Sequence, residues 1–278
     1  MLKNLFRAMG RVFPDCVTLS QAIAFNMFVA FFPLLLFALG LFAITSLFHQ
    51  ALLEIPARLS LILPPGTNDV VAAYFVRTAL HPWRWITLGL GGTLIAGSQV
   101  MVGYIEGFRL IEGDVLRAGY WERQLRAILL LCLTIVPMGT VVVMTVFGKQ
   151  TRAWLLSHTG SLVLTHELEL TLYALIVFAL AMVALVALYG IGRPGHTSFK
   201  SLLPGATVAT VLWWVADLGF GWYVRKMPYD AVYRGLAAAI GLLLWMFLTA
   251  MIVLIGAAYN AEYRESSMPA RPADRILW

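Results

Sequence analysis

Charge is scarce in this sequence, and long parts of it carry none. Asp, Glu, Lys and Arg make up 12% of its 278 residues, against roughly 25% in ordinary soluble domains. None lies between Asp15 and Glu54, Arg84 and Glu106, Arg126 and Lys149, Glu169 and Arg193, or Arg234 and Glu262. A sixth stretch, from Lys200 to Arg225, holds one acid, Asp217. Gaps of this length exclude a water-soluble fold, whose surface helices need a polar face. Cysteine is nearly absent as well. Cys16 and Cys132 lack metal-ligand spacing and fall at different depths of the apolar pattern, so two free thiols are expected.

Catalytic signatures are missing too. The patterns G-x-x-x-x-G-K-[ST], H-E-x-x-H and G-x-S-x-G do not occur. His49, His81, His158, His166 and His196 sit in connections and never pair at ligand spacing. A metal-dependent nuclease needs clustered acids. The nearest set, Glu106, Glu112 and Asp114, is interleaved with Gly107, Arg109 and Gly113 at the edge of an apolar run. No enzymatic activity, metal or cofactor is expected.

What remains is apolar: 60% of the chain is hydrophobic. Each run is long enough for the ~20 helical residues that cross ~30 Å of hydrocarbon. Only a helix or a closed barrel satisfies its backbone there, and the runs lack the in/out alternation of barrel strands. The pattern predicts an all-α, polytopic integral membrane protein, a single domain over residues 1–278. Its six transmembrane helices are expected near Ser20–Leu47, Trp85–Ile105, Ala127–Phe147, Leu170–Ile191, Leu203–Val224 and Gly235–Ala261. The first run is too long for a signal-peptide core and is expected to be retained.

Lys and Arg set the orientation. Lys3, Arg7, Arg11, Arg109, Arg117, Arg123, Arg126, Arg193, Lys200, Arg264, Arg271 and Arg275 fall on one side, twelve in all. The other side has eight: Arg58, Arg77, Arg84, Lys149, Arg152, Arg225, Lys226 and Arg234. This places both termini in the cytoplasm. The net charge of +6 is spread over short segments flanking apolar runs, which suits anionic lipid headgroups and not nucleic acid. The connection from His49 to Arg84 reads as two short amphipathic helices around Leu63-Pro64-Pro65-Gly66, an interfacial cap or a lid. The segment from Phe108 to Arg126 reads as a solvated helix or loop at the membrane surface.

Polar residues inside the runs are the candidate pathway. An intramembrane charge costs roughly 2.5–3.5 kcal/mol on insertion scales and usually faces the bundle interior or a wet cavity. Asp217 is the clear case, sharing a helix face with Thr210, Trp213 and Gly221. It is a candidate cation, proton or substrate-headgroup site, or else a carboxyl that is protonated or that hydrogen-bonds a tyrosine on a neighbouring helix. Asn26, Gln99, Tyr189 and Asn260 form a second set, either interhelical hydrogen-bonding groups or a polar path. Pro33 and Pro137 invite kinks. Gly103-x-x-x-Gly107, Gly92-x-x-x-Ala96 and Ala237-x-x-x-Gly241 permit close helix approach.

Several of these segments carry a resemblance. Ala22-Ile23-Ala24-Phe25-Asn26 through Phe31-Phe32-Pro33-Leu34-Leu35 resembles the first-helix signature of the YihY/BrkB family of bacterial inner-membrane proteins. So do Leu203-Pro204-Gly205-Ala206 with Trp213-Trp214, and Tyr233-Arg234-Gly235, Leu244-Trp245, Ile255-Gly256-Ala257 and Asn260-Ala261-Glu262. Pro33, Pro204, Gly205, Tyr233, Gly235, Trp245 and Gly256 are therefore the motif and packing positions. Ala30 stands where the family has serine, Asn26 where it has an aromatic, and Ala258 where it has glutamate. The resemblance implies six helices, cytoplasmic termini and traffic of envelope lipid or lipopolysaccharide. The family's older ribonuclease label fits this composition poorly. The expected function is a transporter or flippase-like protein for a lipid, glycolipid or other amphiphile, with membrane lipids as partners. A proton- or ion-coupled exporter of small solutes and a membrane scaffold are the alternatives, and the oligomeric state is left open.

Overall fold

Helices made from these runs are apolar on nearly every side, so no single stripe directs them into a water-excluding core. The computed structural model describes residues 7–8, 10, 15–44, 82–113, 119–159, 166–193, 198–226 and 234–267. Within them lie six long helices: α1 (Asp15–Ile44), α2 (Pro82–Glu112), α3 (Tyr120–Thr159), α4 (His166–Gly192), α5 (Leu203–Lys226) and α6 (Arg234–Ser267). A 3-10 turn, Phe199–Ser201, leads into α5. No strand occurs among the described residues, in line with the all-α expectation.

Among the described residues, five stretches are long and apolar enough to cross a membrane: Cys16–Leu41, Pro82–Glu112, Leu175–Gly192, Phe199–Tyr223 and Ala239–Ser266. The remaining expected crossing, Ala127–Phe147, lies within α3. Large apolar side chains point outward along these helices; Ile95 is 72% and Leu218 74% exposed. Keeping such surface in water costs about 25 cal/mol per Å², whereas acyl chains are as apolar as the side chains themselves. This is a multi-pass membrane protein.

The helices outrun the apolar segments. Expected to end at Ile105, α2 continues to Glu112: Phe108 and Ile111 are buried on its inner side, and Glu106 pairs with Arg109 at 3.1 Å. It stops at Gly113, whose φ of +66° is the left-handed conformation that glycine adopts cheaply. There the Gly113 N–H donates to the Leu110 carbonyl at 3.2 Å. Likewise α3 starts at Tyr120, its first turn carrying the Glu122–Arg126 pair at 2.5 Å. The expectation of a solvated segment over Phe108–Arg126 is thereby corrected at its start: Phe108 is fully buried and Arg109 is buried. Of the connection expected from His49 to Arg84, the last three residues open α2; the rest, with its amphipathic helices, and Tyr233 lie outside the described residues.

The chain divides into two compact units, one formed by Asn26–Gln99 and the other by Met1–Phe25 with Val100–Trp278. In the Asn26–Gln99 unit, α1 runs unbroken through Pro33, and α2 meets it closely. A Cβ on Gly92 would stand 2.7 Å from the Pro33 ring, and one on Gly89 would overlap the Phe37 backbone. In the larger unit α3 packs on α4, α4 on α5, and α5 most extensively on α6. Its core holds the fully buried Phe108, Leu130, Tyr189 and Leu254. The Phe108 ring stands edge-on to Tyr189 with centroids 5.6 Å apart, and α4 ends against it, since a Cβ on Gly192 would lie 2.9 Å from that ring.

Candidate functional site

A helix's first turn leaves N–H groups without intrahelical acceptors. At the start of α5 Pro204 removes one such donor by having none. The next, on Gly205, donates to Oδ1 of Asn260 in α6 at 2.7 Å, while Asn260 Nδ2 donates to the Leu202 carbonyl at 3.0 Å. Fully buried Asn260 thus caps α5 from another helix, doing what an N-cap side chain normally does from its own. Such a reach needs α5 and α6 nearly in backbone contact. A Cβ on Gly205 would overlap the Gly256 carbonyl and stand 2.5 Å from Asn260 Cγ.

From α4, Tyr189 closes the same junction. Its hydroxyl donates to the Val253 carbonyl at 2.9 Å. A Cβ on Gly256 would overlap that hydroxyl and lie 2.7 Å from Ala209 Cβ. Tyr189, Gly205, Gly256 and Asn260 are therefore one constellation, whose hydrogen bonds run from protein to protein.

The other expected residues lie elsewhere. Asp217 follows Gly205 by about 18 Å of helix at 1.5 Å per residue. Thr210 on the same face is fully buried and donates to the Ala206 carbonyl at 2.8 Å, but Asp217 is exposed beside exposed Leu218. Trp245 lies between Trp213 and Phe220, with centroid separations of 6.4 and 5.2 Å. Asn26, half-buried, and Gln99, exposed, belong to the Asn26–Gln99 unit, and neither side chain bonds another described residue. Gly235 is the second residue of α6.

Two spaces open between helices of the larger unit. One of about 70 Å³ lies among α4, α5 and α6, where the Trp213 Nε1 and Thr249 Oγ1 atoms are buried without a hydrogen-bond partner. The other, about 410 Å³, is a groove beside the start of α5, lined by Met182, Val186, Ala187, Phe199, Leu202 and Leu203 among other apolar residues. Exposed Lys200 sits between Phe199 and the start of α5.

Sequence reasoning missed a charge cluster where α2, α4 and α6 end. One oxygen of Glu112 accepts from Arg193, just beyond α4, and from Arg264 in α6 at 2.9 Å. Glu106 pairs with Arg109 and lies 3.9 Å from Arg123. The available signal was that acids and bases bounding different apolar runs fall on one expected side of the membrane.

The profile of the virulence factor BrkB matches residues 13–275. The chain belongs to the BrkB family. It is similar to a UPF0761 membrane protein of Alkalilimnicola ehrlichii, 25% identical over 249 residues, which are 88% of this chain and 54% of that protein. A UPF0761 membrane protein of Mannheimia succiniciproducens is 22% identical over 86% of this chain and 82% of its own length. A ribonuclease-like protein of Bacillus subtilis is 28% identical over 46% of this chain and 48% of its own. The chain thus spans about half the length of the Alkalilimnicola relative. No solved structure matches. In this BrkB chain the Leu203-Pro204-Gly205-Ala206 and Ile255-Gly256-Ala257 motifs are two sides of one contact, with Asn260 joining them. Ala258, where the resemblance expects glutamate, is fully buried.

Proposed function

We propose that this protein moves an anionic amphiphile, a lipid or glycolipid, in the bacterial inner membrane, as a carrier and not a catalyst, with the Arg193 and Arg264 ends of its helices on the cytoplasmic side. The 410 Å³ groove supports this reading, because its lining is apolar and lies within the candidate spans Leu175–Gly192 and Phe199–Tyr223. A hydrocarbon chain enters such a groove without the desolvation cost that an ion or a sugar meets. Lys200 stands beside it to meet a negative headgroup. Placing a ring in the groove tests the idea. Ala187→Phe is expected to slow transbilayer movement of labelled phosphatidylglycerol in proteoliposomes at least tenfold, with thermal unfolding unchanged. Equal rates in proteoliposomes with wild-type protein, with the variant and in protein-free vesicles would end it.

A second reading rests on Asp217, an acid within a candidate span and exposed on α5. An ion-coupled carrier would use that carboxylate to take up a proton or cation. In that case Asp217→Asn abolishes the pH-gradient dependence of transport while leaving folding intact. If transport keeps its gradient dependence in the variant, this reading is lost.

A further inference from the structure

The most unusual electrostatic feature of the larger unit lies at the ends of α2, α4 and α6. Arg193 has only 4% of its side chain exposed, yet among the described residues just one of its nitrogens, Nη2, is engaged, on Glu112. Its Nε and Nη1 are buried without a hydrogen-bond partner among the described residues, and so is Nη1 of Arg264. Both guanidiniums lean on a single carboxylate oxygen. The three groups together carry a net positive charge, and adding Glu106, Arg109 and Arg123 makes the excess larger. Glu112 thus sets one carboxylate against two guanidiniums. Buried charged donors left without acceptors are among the costliest arrangements a protein retains.

Depth narrows what would complete the site. Glu112 is the last residue of one candidate span, Arg193 follows the last residue of another, and Arg264 lies in the closing turn of a third. The cluster therefore sits at the level of lipid headgroups. Guanidiniums match tetrahedral oxyanions well, offering several fixed N–H donors to several acceptor oxygens. We infer that Arg193 and Arg264, held in place by Glu112, form a phosphate-binding site at the shared end of α2, α4 and α6. The phosphate belongs either to a phospholipid headgroup or to free phosphate. Glu112 has two effects in this arrangement: it fixes the two guanidiniums and competes with the incoming anion for them.

That competition separates binding from a purely structural ion-pair role. The test uses the full chain, purified in a zwitterionic detergent, with inorganic phosphate titrated at constant ionic strength against chloride and binding read by thermal shift and ³¹P line broadening. A parallel arm reads retained phosphatidylglycerol by native mass spectrometry. Binding is expected in at least one arm. Arg264→Gln should weaken it at least tenfold. Glu112→Gln, with the competing carboxylate gone, should strengthen it, and phosphate should raise the melting temperature of that variant more than that of the wild type. Binding of inorganic phosphate identifies a free-anion site, and binding of phosphatidylglycerol alone identifies a headgroup site. If neither binds, or if Arg264→Gln and Glu112→Gln leave binding unchanged, the inference is overturned. Arg264 is 19% exposed and so a safer variant than Arg193; Arg264→Lys should recover part of the binding if the charge matters. Ala187→Phe should leave phosphate binding intact, so the groove and this site fail separately.

Discussion

Individual atoms decide the α4–α5–α6 junction. Asn260 uses both ends of its amide on α5, and Gly205 and Gly256 are small because backbone and phenol occupy the space of a side chain. Gly205→Ala forces a methyl into the Gly256 carbonyl, a rigid neighbour that cannot swing aside. Overpacking costs about 1–3 kcal/mol, and a rigid backbone neighbour puts this site at the upper end. Asn260→Ala instead leaves the buried Gly205 N–H without its acceptor and should cost about 1–2 kcal/mol. Thermal unfolding in detergent should therefore rank Gly205→Ala below Asn260→Ala, and both below the wild type; the reverse order would contradict the close contact. Thr249→Val runs the other way. It removes a buried hydroxyl that has no partner, so stability should hold or rise by up to about 1 kcal/mol.

At the scale of elements, the helix ends follow local chemistry and not hydrophobicity. The charge-free run of α2 stops at Ile105, but the Glu106–Arg109 pair and the buried Phe108 and Ile111 carry the helix on to Glu112. Only Gly113, with its left-handed backbone, halts it. A Cβ there meets nothing within 4 Å, so any penalty for Gly113→Ala is conformational. It should destabilise by about 1 kcal/mol, and Gly113→Asn by less, because asparagine tolerates the left-handed region. Equal melting temperatures for Gly113→Ala and the wild type would show that the turn relaxes to another conformation. The extended end of α2 carries Glu112, without which Arg193 and Arg264 have no shared carboxylate.

For the whole molecule, the apolar outward surface demands lipid, and the uneven spread of Lys and Arg suggests which way it is inserted. A reporter fused after Trp278 should be active only if it matures in the cytoplasm, and one placed between Lys226 and Arg234 only if it is exported. The opposite pair of results would reverse the proposed orientation and put the phosphate site on the outer face.

Composition and apolar runs were enough to show that the chain is an all-α membrane protein and to find its six long helices, although α3 begins seven residues before and ends twelve residues beyond its expected bounds, and α2 and α6 also overrun theirs. Runs of apolar residues are read one at a time, and each needs no partner to declare that it belongs in lipid. The sequence named Tyr189 and Asn260 as polar candidates and Gly205 and Gly256 as motif positions, in two separate sets. Tertiary structure alone decided that these four meet, that Asp217 faces outward while Thr210 on the same face is buried, and that Glu112, Arg193 and Arg264 converge from 152 residues of separation. The physical reason is that burial and pairing depend on which helices stand side by side. Where neighbouring surfaces are almost uniformly apolar, helical periodicity carries little information about that choice; small residues, caps and ion pairs make it.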